Sequence, residues 1–163
     1  MIEIFARNEL GLEIEEGQVI IPISDASAES LSAILLDDDY FDLIRTNLVM
    51  SESGVPLVSA PANICLKARA HRDLSERHAK GDRSFDERNI LKHLKDIWRL
   101  GVTLTGEEVI TVGGDLEKDV VAAIGKLEKL PGDQFKQMMK GTPAKLADVM
   151  AALRKIFVKD RSA

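Results

Sequence analysis

With 163 residues, 45% of them apolar and 30% charged, the chain is long enough to bury a core unaided, and its composition excludes a disordered polymer. A formal charge of −5 disfavours non-specific nucleic-acid binding, which needs a strong positive field. No apolar run reaches the ~18 residues of a membrane span and no early stretch reads as a signal peptide, so a cytoplasmic location is the expectation.

In chain order, the first part reads as strand. Ile2 and Ile4 alternate with Glu3 and Phe5. Val19 to Ile23 is a second apolar run after the turn Glu15-Glu16-Gly17-Gln18, and Pro22 marks an edge or a strand end. Ile34-Leu35-Leu36 reads as a third strand or a short buried segment. A short helix is expected from Asp37-Asp38-Asp39 through Ile44, followed by an extended Val55 to Val58.

Beyond Ser59 the pattern turns helical. Pro61 suits a first turn, and no breaker follows until Gly81. Ser84 with Glu87 matches a capping box for a helix whose stripe is Ile90, Leu91, Leu94, Ile97 and Trp98. Glu107 to Val112 fits neither helix nor strand clearly. Asp115 is the expected cap of a helix carrying Leu116, Val120, Ala123, Ile124 and Leu127. Pro131-Gly132 breaks the chain. Thr142-Pro143 is the expected start of a last helix, with Leu146, Val149, Met150, Leu153, Ile156 and Phe157 along one side. The expected fold is α+β, divided into a β-rich part at 1–58 and a helical part at 59–163.

Most candidate chemistry meets a plain structural alternative. Asp37 and Asp39 would share a face of a strand and could hold Mg²⁺, but an acidic helix start explains them more simply. His71 and His78 are seven residues apart, roughly 10 Å along a helix, too far for one metal. Gly113-Gly114 reads as a turn, because Asp115 would repel an anion there. Cys65, in the apolar run Ile64-Cys65-Leu66, reads as a small core residue. Nearly half of the 22 Lys and Arg lie between Lys67 and Arg99, yet Asp73, Glu76, Asp82, Asp86 and Glu87 are interspersed and favour a solvated helix surface. Lys67 begins one long helix and Asp96 ends the next. A short connection makes the two antiparallel, which puts both groups near the same end. Taken alone, Lys67 would snorkel and Asp96 would pair with Lys92.

The pieces LKARAHRDL and NILKHLKDIWRL, with MIEIFAR, SLSAILLDDDYFDLI and GVPLVSAPANICLKARA upstream, resemble AbiE-toxin-like (abortive-infection) nucleotidyltransferases over roughly residues 1–105. The resemblance implies a partial nucleotidyltransferase-like β-sheet followed by an α-helical bundle. It assigns Lys67 to the nucleotide phosphates, Asp96 to a catalytic acid, and Glu3 to a catalytic and metal-binding acid, with Mg²⁺ and an NTP as cofactor and substrate. The family's Gly-Ser turn and Asp-x-Asp strand have no counterpart here. One glutamate cannot place the ions of two-metal phosphoryl transfer, so a catalytically incomplete protein is expected. The implied setting is a bacterial toxin–antitoxin or phage-defence system. The implied partners are a second copy, pairing over an exposed strand edge as a homodimer, or an antitoxin-like protein. The competing expectation is a non-enzymatic interaction or dimerisation module.

Overall fold

The computed structural model describes residues 4–7, 19–24, 30–36, 38–140 and 144–158. Their elements make an α+β protein that is mostly helical. It forms two compact units, 1–48 and 49–163.

The first unit holds β1 (Ile4–Arg7), β2 (Val19–Ser24), β3 (Ser30–Leu36) and α1 (Asp38–Thr46). The strand order is β1-β3-β2. β1 runs parallel to β3, with Ile4 opposite Ala33, and β2 runs antiparallel to it, with Pro22 opposite Ser32. Pro22 has no N–H to give to a ladder, and β2 lies at an edge of the described strands. Asp38 and Asp39 occupy the first turn of α1, where the helix dipole favours negative charge, and Arg45 occupies the last. Tyr40, Leu43 and Ile44, at i, i+3 and i+4, are its buried face. Glu3 and Asp37 lie outside the described residues.

β4 (Leu48–Met50) and β5 (Pro56–Val58) form a two-stranded sheet. Its turn is closed by the Ser51 N–H donating to the Val55 carbonyl at 2.9 Å, with Gly54 at φ +77°. Because the hairpin begins at 48, the compact units divide ten residues ahead of the boundary expected from composition.

α2 (Ala60–Ala79) starts where expected. The Ser59 hydroxyl accepts from the Ala62 N–H at 3.4 Å, and proline sits in the first turn. Its first half is buried nearly all round through Pro61, Ala62, Ile64, Cys65, Leu66 and Ala68. α3 (Arg88–Gly101) packs on α2, and α4 (Gly114–Glu128) packs on α2 beside it. α6 (Leu146–Phe157) closes over α3 and α4. α5 (Gly132–Met139) follows Pro131 directly, so the break expected there is a helix start. Phe135 of α5 meets the buried Trp98 edge-to-face, with centroids 5.2 Å apart.

Several local expectations need correction. The start of α3 has no capping box: the Arg88 N–H donates to the Asp86 carboxylate at 2.9 Å, and Ser84 instead accepts from Arg77. The buried stripe of α3 is Leu94, Ile97, Trp98 and Gly101, while Leu91 is exposed. α4 is preceded by Gly113, and Asp115 pairs with Lys118 within the first turn. α6 begins at Leu146, which is itself exposed, and Thr142-Pro143 lies outside the described residues. The apolar face assigned to α4 is buried throughout.

At Gly101, α6 side chains pack directly on the α3 backbone. A Cβ there would lie 2.9 Å from Val149 Cγ1 and 3.4 Å from a Leu153 methyl. Gly125, inside α4, has open space around it. Gly101→Leu should therefore destabilise by about 1–3 kcal/mol through overpacking. Gly125→Ala should stabilise by ~0.5–1 kcal/mol by restricting the unfolded chain. Urea unfolding midpoints of the two variants, moving in opposite directions, are the check.

Candidate functional site

The α2–α3 seam gathers the ionisable groups that the sequence singles out. Lys67 and His71 are one turn apart on α2. His93 and Asp96 are three apart on α3, so they too share a face. His71 is buried, and its Nδ1 lies 3.0 Å from the Ile90 carbonyl of α3. His93 is half-buried, four residues before the buried Ile97. Its Nδ1 is buried and has no hydrogen-bond partner among the described residues.

His93 joins the two predicted groups. Burial is the main reason its imidazole is pushed down to about 4, and the positive charge of Lys67 adds to this. The carboxylate of Asp96 opposes the shift, while Lys92 and His71 reinforce it. Lys67 and Asp96 therefore both act on one imidazole, but Lys67 is the eighth residue of α2 and Asp96 the ninth of α3, so neither begins nor ends its helix as expected. His71 is also held below the ordinary value, through burial first, then Lys126, against the Ile90 carbonyl. Both rings are neutral near pH 7. Asp96 meets Arg99 at 3.9 Å, one turn on, rather than Lys92 one turn back.

A second charged cluster ties α2 to α4. Asp119 is buried at 2% exposure and accepts from Arg72 Nη1 at 2.6 Å, with Arg69 Nη1 at 3.8 Å. Arg69 also pairs with Asp73 at 3.2 Å. The two arginines that sequence groups with a basic surface are thus committed to a buried carboxylate. Asp119 had one sequence signal: it falls between Leu116 and Val120, where the helical period places apolar residues.

The remaining cations near this region are largely engaged along the surface. Arg77 pairs with Asp82 at 2.7 Å, Arg88 with Asp86 at 2.5 Å, and Arg83 Nη1 donates to the His78 carbonyl at 2.9 Å. The Cys65 thiol is pushed up to about 12 by burial, so it stays protonated and unreactive.

The implied Mg²⁺ finds little here. Among the described residues no group of three His, Cys, Asp or Glu could hold a metal ion. Asp96, already beside Arg99, does not make a metal site alone. The seam can offer a partly buried cation, a neutral imidazole and one carboxylate. Among the described residues, no helix is long and apolar enough to cross a membrane.

Comparison with protein-family models, curated proteins and solved structures finds no match to this chain.

Two outcomes follow from this electrostatic arrangement. Both imidazoles are lowered on folding, so below the ordinary value of 6.5, and for His93 down to about 4, the unfolded chain binds protons that the native chain does not. Stability should be full above pH 6.5 and fall as pH drops through this window. Urea midpoints between about pH 7 and pH 5, above the ordinary carboxylate range, should show the fall, and His93→Gln should flatten it. Asp119→Ala should cost about 3 kcal/mol by stranding Arg72 and Arg69, and adding Arg72→Met should recover part of that loss in a double-mutant cycle.

Proposed function

We propose that this chain is a nucleotidyltransferase-fold protein that binds a nucleotide at the α2–α3 seam and lacks the carboxylates for transfer. The observation that carries this reading is the shared action of Lys67 and Asp96 on His93. Lys67 would neutralise phosphate charge. His93, neutral and with its Nδ1 buried, would flank the phosphates without a contact from that nitrogen. Asp96 would accept from a ribose hydroxyl or a base N–H. Glu3, the other acid that the resemblance assigns, lies outside the described residues and forms no part of the seam as proposed. Mg²⁺ would enter with the phosphates of the bound NTP. A bacterial toxin–antitoxin or phage-defence role, with an antitoxin-like protein partner, belongs to the same proposal.

A second reading is favoured by a different observation. Leu48, Val49, Met50, Val55 and Leu57 are all exposed on the β4–β5 hairpin. So many apolar side chains in eleven residues suit a non-enzymatic interaction or dimerisation module.

Titration calorimetry with ATP, GTP, CTP and UTP in the presence of Mg²⁺ separates the two. The nucleotide reading expects millimolar or tighter binding of at least one of them. Lys67→Ala should weaken that binding at least about tenfold while the circular-dichroism spectrum stays unchanged. Absence of heat with all four nucleotides would remove the nucleotide reading and leave the module.

A further inference from the structure

α3 carries two apolar side chains on one flank with opposite fates. Leu91 and Trp98 are two turns apart, and seven residues along a helix return to within about 20° of the same direction. Leu91 is 48% exposed, whereas Trp98 is 0% exposed. The ring laid on Trp98 is Phe135 of α5, at an interplanar angle of 82°. α5 is therefore part of the cover over a flank of α3 that lies open two turns earlier.

That cover is weakly held. α5 has eight residues, and a helix so short is not stable in water without tertiary support. Between 131 and 138 only Phe135 and Met138 are half-buried, and the rest are exposed. Among the described residues, no side chain of α5 forms a hydrogen bond or an ion pair with another element. α6 differs, because Arg154 and Lys155 tie it to Glu128 and Glu107. Upstream, only the connection 129–131 joins α5 to α4.

Docking and helix formation are thus one event, since α5 loses its tertiary support when Phe135 leaves Trp98. The docked state also has a weakness of its own. Trp98 Nε1 is buried and, among the described residues, has no hydrogen-bond partner. A buried donor left unmet destabilises the state that contains it. Few apolar anchors, exposed backbone and an unmet donor under the cover put a segment at the low-stability end of a fold.

We propose that α5 is a latch that opens on its own. With the rest of the helical unit intact, it unwinds about the connection 129–131, and Trp98 joins Leu91 on an exposed flank of α3. Shut, the latch masks that flank; open, it reveals an aromatic ring in the middle of the bundle's surface. The device has two states and rests on neither of the functional readings above.

Trp98 is the single tryptophan of the chain, so its emission reads the latch directly. Amide hydrogen exchange of the full chain should show α5 exchanging at least about 100-fold faster than the middle turns of α3 and α6, at a rate that low urea leaves nearly unchanged. Phe135→Ala should raise acrylamide quenching of Trp98 severalfold and move its emission to longer wavelength, while the thermal melt stays cooperative. Gly132→Ala puts a methyl into open space and should slow exchange in α5 alone by roughly twofold to fivefold. Exchange of α5 in step with α3 as urea rises would overturn the latch, whatever becomes of the Phe135 variant. Unchanged quenching in a folded Phe135→Ala protein would overturn it equally.

Discussion

The helical unit depends on the burial of the first half of α2. Pro61, Ala62, Ile64, Cys65, Leu66 and Ala68 leave almost no solvent-facing strip between Ser59 and Arg69. A helix buried on most sides needs neighbours on most sides, and α3 and α4 supply them. Small side chains at Ala62, Cys65 and Ala68 permit close approach. Lys67 lies in this stretch, so its surroundings are set by packing on either side of it and not by the flexibility of its own side chain.

From that constraint follow the two charged clusters. Where α2 meets α4, Arg72 and Arg69 reach a carboxylate cut off from water, and the pair is stable only because each charge is answered. Where α2 meets α3, two imidazoles are enclosed and remain neutral, with cations nearby and one acid opposing them. The first cluster is an inter-helix tie. The second is chemically less settled, because His93 retains a buried Nδ1 with no partner among the described residues. Buried polar atoms are usually bonded.

Surface ion pairs contribute on a different scale. Arg154 with Glu128 and Lys155 with Glu107 link α6 to α4 and to the loop after α3, but in exposed positions. Such pairs are individually weak in water. They bias where the loop after α3 lies more than they hold the bundle together, and the apolar anchors Ile110 and Val112 bind that loop more firmly.

Local patterns determine much of this molecule. The extent of α2 follows from Ser59, Pro61 and the lack of a breaker before Gly81, and the face of α4 follows from the 3.6-residue spacing of Leu116 to Leu127. The early apolar runs likewise predict β2 and β3. Sequence also predicts that Lys67 and Asp96 lie on neighbouring helices, and both act on His93 between them. Tertiary structure alone decides the rest. Asp119 and Arg72 are 47 residues apart in the chain, and no local rule couples them. His93 stands out only once α2 removes water from it and sets Lys67 beside it. Leu91 fits the periodic stripe yet stays exposed, since packing partners and not periodicity decide which side of a helix is covered. The physical reason is common to all three: spacing fixes which side chains share a face, but burial and charge coupling depend on what a distant part of the chain brings against that face.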